Sequence, residues 1–190
     1  MEINKKSIYY PPGGILIWIV IYLELFTFGM AMLALVYYGS QDRIQYHEDS
    51  KLLNRLLGTV NTVFLLTSGF LVAKAVHYFK QNLIEKTSKY FLWAIFSGCG
   101  FLVLKLVEYY EKLQAGIDMD YSSFFMFYWL LTGFHWIHVL VGIVILWFIR
   151  RAVIKKQHTA SLEDIEAGAS FWHMCDLVWL LLFPILYLLF

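Results

Sequence analysis

The chain has 190 residues, of which 60% are apolar, 19% aromatic and only 15% charged, and its mean hydropathy is +0.62. A soluble domain ordinarily carries about a quarter of its residues as charges, so this composition excludes one. A net charge of +1 gives no bulk attraction for nucleic acid. Cys99 and Cys175 lie in apolar runs and form no C-x-x-C pair, which argues against a disulfide framework or a thiolate metal site.

A membrane span needs about 20 apolar residues, and five segments qualify: 14–38, 53–79, 90–110, 122–149 and 168–190. The expectation is an all-α bundle of five transmembrane helices in one integral membrane domain, 1–190, with short polar connections. The first segment follows Lys5 and Lys6 and is longer than a signal-peptide core, so it reads as an uncleaved helix. Lys and Arg stay on the cytoplasmic side. Nine of them (Lys5, Lys6, Lys80, Lys86, Lys89, Arg150, Arg151, Lys155, Lys156) fall on one side and four (Arg43, Lys51, Arg55, Lys112) on the other, which predicts N-inside, C-outside. No internal repeat of the kind found in secondary transporters is evident.

Each ionisable group inside a span costs about 2.5–3.5 kcal/mol on insertion scales and so needs a partner or a purpose. In the first span Glu24 lies roughly 15 Å deep at 1.5 Å per residue. Its carboxyl is either neutral interhelical glue or a proton-handling or lipid-contact group. The second span carries Asn61, Thr62, Thr67, Ser68 and Gly69, residue types that let membrane helices approach closely. Lys105 and Glu108 in the third span are i, i+3 neighbours and pair locally, with Lys105 near enough to the end to snorkel.

The fourth span aligns Thr132, His135, His138 and Gly142 on one face, and the fifth carries His173 and Asp176. Depth counting brings Asp176 and His138 to comparable levels, about 12 and 17 Å in, which predicts a hydrogen bond between them. Trp18, Trp147 and Trp172 near span ends read as interfacial anchors. Pro184, deep in the last span, is a candidate kink. Di-iron bundles use Glu-x-x-His, which is absent here, so metal ligands in this chain are assigned to none. An independent membrane haem or metal enzyme built on the histidines stays open as an alternative, as does a polar interior that is simply hydrogen-bonded. No phosphate loop or nucleophile elbow is present.

Particular strings add a resemblance. LTGFHWIHVLVG (131–142) resembles the T-G-F-H-x-x-H-V-x-x-G signature of the haem-copper oxidase (cytochrome c oxidase) subunit III family. IYLELFTFG around Glu24 is similar to that family's intramembrane Ser-Glu segment, with Leu23 in the serine position. VNTVFLLTSGF (60–70) and VEYYE (107–111) resemble two further stretches, with Lys105 where glutamine is common. EAGASFWHMCDLVWLLLF (166–183) is similar to the closing E-A-x-x-x-x-W-H-F-x-D-x-V-W helix, with Met174 for phenylalanine.

Longer family members have seven spans and this chain resembles the last five, a short five-helix form. The resemblance implies a non-catalytic accessory subunit in a bacterial cytoplasmic (inner) membrane. It would bind catalytic subunit I and membrane lipids, with haem and copper in the partner, none in this chain, and bound phospholipid. Glu24 matches the family's carbodiimide-reactive carboxyl. Glu24, Glu108, His135, His138, His173 and Asp176 are the expected proton- or lipid-related residues, and Asn61, Thr62, Ser68 and Lys105 the structural polar ones. Similar short proteins accompany bacterial nitric oxide reductases, which is the alternative context.

Overall fold

A computed structural model of the chain describes residues 11–155 and 161–190. Lys5, Lys6 and Lys156, counted in the charge asymmetry, lie outside the described residues. Six α-helices form among the described ones: α1 (Ile15–Gln41), α2 (Arg43–Lys51), α3 (Arg55–Lys80), α4 (Ile84–Gln114), α5 (Ser123–Ile154) and α6 (Leu162–Tyr187). All but α2 are long and apolar enough to cross a membrane, and they make the expected five-helix bundle.

Two spans begin six residues earlier than hydropathy placed them, at Ile84 and Leu162. Hydropathy sees where hydrocarbon starts, whereas a helix continues for as long as its backbone bonds and caps allow. At α6 the extension is set by a capping box: Asp164 N donates to Ser161 Oγ at 3.1 Å, and Ser161 N donates back to Asp164 Oδ2 at 3.2 Å. Ser161→Ala should therefore cost about 1 kcal/mol, read as faster amide exchange confined to the first turn of α6.

The short α2 was expected as loop. It has no apolar run, but Asp42 caps it by accepting from Gln45 N at 3.4 Å, and Tyr46 buries itself against Phe124 and Phe190. Burial pushes the Tyr46 hydroxyl above its ordinary value, and a hydrogen bond from Lys51 holds the Glu48 carboxyl below its own. Around α2 one end of the bundle is tied together. Ser122 Oγ donates to Asp49 Oδ2 at 2.7 Å, Lys112 Nζ donates to the Leu52 carbonyl, and His47 Nδ1 lies 2.6 Å from the Phe190 carbonyl. The opposite, basic end is closed by Lys80 against Glu166 at 2.7 Å and by Arg150 Nε donating to the Ser88 carbonyl at 3.2 Å.

The most buried span is α6: α1, α3 and α5 pack on it, and α4 closes the ring between α3 and α5. Trp172 is central to this arrangement. Predicted as an interfacial anchor, it is instead wholly buried, its ring flanked by Gly98 of α4 and Gly142 of α5. Bare backbone on both neighbouring helices makes the slot that the indole fills, and an outward position would have left that slot empty. Trp18 and Trp147 do lie near helix ends, Trp18 Nε1 donating to the Pro12 carbonyl at 2.9 Å and Trp147 under the Arg151 guanidinium at 4.5 Å. Pro184 stands in the last turn of α6, which runs on to Tyr187. The outer faces of the spans are apolar, as at Leu16 and Phe26 of α1, which are 80% and 69% exposed; such faces suit lipid.

Candidate functional site

Three polar groupings occupy the membrane-depth part of the bundle. The first is built on Lys105. It was expected to snorkel, yet it is fully buried, because satisfying partners stand closer than the interface does. An ammonium has three protons to donate, and three acceptors meet them: Glu108 Oε2 at 3.1 Å, Tyr128 Oη at 3.1 Å and Tyr187 Oη at 2.8 Å. Both hydroxyls then donate to Glu108 Oε1, at 2.9 and 2.6 Å. The local Lys105–Glu108 pair expected from spacing is present, closed into a ring by tyrosines from α5 and α6. The aromatic faces of Tyr109, Tyr128, Trp179 and Tyr187 surround the same nitrogen at 4.6–5.5 Å.

Neither tyrosine was singled out from the sequence. The available signal was depth: Lys105, Glu108, Tyr128 and Tyr187 all lie within about three turns of the α2 end of their helices. Next to this ring, Tyr109 Oη donates to Thr132 Oγ1 at 2.9 Å, and Thr132 Oγ1 donates to the Tyr128 carbonyl at 2.6 Å.

The second grouping joins α1 to α5. Glu24 Oε2 lies 3.2 Å from His138 Nε2, in ion-pair reach although not aligned as a hydrogen bond. This replaces the expected His138–Asp176 bond. The two residues were matched in depth, but α1 stands beside His138 and Asp176 faces α3. His138 Nδ1 is 2.8 Å from the Phe134 carbonyl, and since a carbonyl only accepts, Nδ1 carries a proton. One turn away His135 is buried with neither ring nitrogen hydrogen-bonded. Its ring stacks on Trp179 at 5.4 Å and 24° and meets the edge of Phe101 at 5.8 Å and 90°.

The third grouping joins α6 to α3. His173 Nδ1 is 3.4 Å from Asp176 Oδ2, and the Asp176 carboxylate packs against Gly69, where a β-carbon would collide with it. Of the structural polar residues, Ser68 Oγ donates to the Ala94 carbonyl of α4 at 2.8 Å. Thr62 Oγ1 donates to the Gly58 carbonyl and accepts from Trp179 Nε1, each at 2.9 Å. Asn61 is buried with neither amide atom hydrogen-bonded. Among the described residues no three His, Cys, Asp or Glu side chains converge as a metal-binding group.

Comparison with known proteins places this architecture. A family model described as cytochrome c oxidase subunit III matches residues 51–189. Cytochrome c oxidase subunit 3 of Artemia franciscana is 33% identical over 132 residues, 70% of this chain and 50% of that protein. The protein of the same name from Felis catus is 37% identical over 136 residues, 67% of this chain and 48% of that one. A heme-copper oxidase subunit I+III of Aeropyrum pernix is 26% identical over 184 residues, 90% of this chain and 22% of that protein. The chain spans about half the length of the subunit 3 relatives from Artemia and Felis. With five helices of membrane-spanning length and a family match over most of its residues, the chain is a multi-pass membrane protein that belongs to the cytochrome c oxidase subunit III family.

Proposed function

We propose that the chain is a non-catalytic accessory subunit III of a respiratory haem-copper terminal oxidase, binding catalytic subunit I and supporting its proton uptake and its durability in turnover. Family membership supports this reading, as does the relative whose name joins subunits I and III in one protein. In this reading haem and copper belong to subunit I. This chain supplies a polar bundle interior and a surface for phospholipid, and it lies in a bacterial cytoplasmic membrane with its basic end inside.

The observation that carries the proton-related part is the Glu24–His138 pair. Its side chains are partly open, 24% and 13% exposed, at membrane depth between α1 and α5. A carboxyl and an imidazole in contact hold a proton so that neither site is left as an uncompensated charge in hydrocarbon. Beside the subunit that consumes protons, such a pair serves as a local proton reservoir or as a lock on lipid packing.

The test uses the purified complex. Glu24→Ala is expected to leave haem content unchanged while shortening the active lifetime several-fold or changing proton uptake, with Glu24→Gln milder on lifetime. Unchanged behaviour of Glu24→Ala in both respects would overturn the role given to Glu24. Co-purification with a nitric oxide reductase catalytic subunit would move the assignment to the alternative complex. A Soret band or stoichiometric metal in the isolated chain would make it a metalloprotein in its own right.

A further inference from the structure

We propose that the basic end of the α3–α4 hairpin holds the phosphate of an anionic phospholipid, with one acyl chain running on along the groove between the two helices. The site is separate from the Glu24–His138 pair, and it does not depend on which catalytic subunit the chain accompanies.

At that end Tyr78 of α3 and Lys86, Lys89, Tyr90 and Trp93 of α4 line a hollow of about 390 Å³. Helical spacing explains the walls. Lys86, Lys89, Trp93 and Phe96 fall at i, i+3, i+7 and i+10, one face of α4, and all four are exposed. Tyr90 turns into the seam with α3, where its ring lies 5.0 Å from that of Tyr78. The Lys86 ammonium stands over the same Tyr78 ring at 5.4 Å. Hydropathy starts the third span at Tyr90, so both lysines lie at headgroup level, with Trp93 about 5 Å inside the hydrocarbon.

The charge here has no counterpart in the fold. Lys80 is engaged by Glu166 at 2.7 Å, but Lys86 and Lys89 make no ion pair with any described carboxylate, Glu85 beside them included. No carboxylate lines the hollow. Lys86 also stands in the first turn of α4, the positive end of the helix dipole, where an anion is favoured and a lone cation is not. A zwitterionic headgroup would bring its own ammonium beside two others, whereas a headgroup of net negative charge compensates them. What lies beyond the lysines distinguishes a lipid from a free phosphate, for which exposed lysines alone are weak holders. The face continues apolar through Phe96, and farther along the same helix pair Val60, Val63, Phe64, Thr67 and Ser97 border a second hollow of about 270 Å³. Ser97 Oγ donates to the Phe64 carbonyl at 2.6 Å, so its proton is already used. Ser97 stands about 10 Å deeper than Tyr90, within the roughly 15 Å that the acyl chains of one leaflet cover.

The experiment uses the full chain, purified in detergent and delipidated, with phosphatidylglycerol or phosphatidylcholine of matched acyl chains added and bound lipid counted by native mass spectrometry. Phosphatidylglycerol is expected to bind about tenfold more tightly, the scale of two partly screened lysines acting on an anionic headgroup. Lys86→Gln/Lys89→Gln, which keeps good helix formers at both exposed positions, should bring the two lipids within about twofold of each other. Lys51→Gln, at the other end of the bundle, should leave the preference intact. Equal binding of the two lipids by the unsubstituted chain, or an unchanged preference in the double variant, overturns the proposal. Inorganic phosphate in millimolar excess should not displace the lipid; displacement would assign the hollow to free phosphate and overturn the lipid. A phosphatidylglycerol with a diazirine near the end of one acyl chain should label 60–67 of α3 or the Ser97 region of α4, and less so in the double variant. Labelling confined to other helices overturns the path given to the chain. Because the protein is tested alone, failure of the subunit III reading leaves these outcomes unaffected.

Discussion

Lys105→Met is expected to destabilise the bundle by about 3–5 kcal/mol, the range for removing one partner of a buried ion pair. The physical reason is the ring around it. With the ammonium gone, the Glu108 carboxylate stays buried with two hydroxyls and no counter-charge, and it must desolvate alone or take up a proton. Glu108→Leu should cost a similar amount from the other side, leaving Lys105 with two tyrosine oxygens. The double variant Lys105→Met/Glu108→Leu is the informative one. Because it removes both charges together, its cost should fall well below the sum of the singles. Tyr128→Phe and Tyr187→Phe, each deleting a bond to Glu108, should cost about 1 kcal/mol apiece. Thermal unfolding of the detergent-solubilised protein reads all five. A double variant as damaging as the two singles added would show that the pair is not coupled. Helices separated within a bilayer find other partners, so the values should be smaller when unfolding stays in the membrane.

This cluster also shows how far a sequence can be read. Spacing alone pairs Lys105 with Glu108, because i and i+3 on one helix are neighbours whatever surrounds them. The count of spans follows from hydropathy, since nothing else hides the backbone from hydrocarbon. Partners across helices are a different matter. Depth along the axis is countable at 1.5 Å per residue, but rotation about the axis and the identity of the adjacent helix are set by packing. So depth alone matched His138 with Asp176, while the fold puts Glu24 at 3.2 Å from His138 and turns Asp176 toward Gly69. The same limit hid Tyr128 and Tyr187, which come 20 and 79 residues after Glu108 in sequence. The short α2 escaped because it is held by a cap and one buried tyrosine rather than by an apolar period. Trp172 escaped because its environment is made by what two glycines on other helices lack.

Trp172→Ala is expected to give the second large effect, toward the lower end of the ~3–5 kcal/mol typical of removing a core aromatic ring. In water that figure combines transfer out of solvent with the cavity left behind. Here the unfolded alternative is largely lipid, so the transfer part shrinks and lost packing remains. The geometry makes the packing part severe. A β-carbon at Gly98 would lie 2.8 Å from the indole Cη2, and one at Gly142 would lie 2.7 Å from Cε3. The ring is thus held between two helix backbones with no slack on either side. Gly142→Ala should therefore destabilise as well, by about 1–3 kcal/mol, the usual range for overpacking, because the ring cannot retreat toward Gly98. The buried Nε1 has no hydrogen-bond partner, so Trp172→Phe removes an unsatisfied donor as it removes volume and should cost clearly less than Trp172→Ala. The combination Gly142→Ala/Trp172→Phe then tests the wedge directly, since the smaller ring makes room for the added methyl and the pair should be more stable than the two single costs predict. Melting temperature and the monodisperse fraction on gel filtration measure the series. Strict additivity of Gly142→Ala with Trp172→Phe would mean that the indole is not what joins α4, α5 and α6.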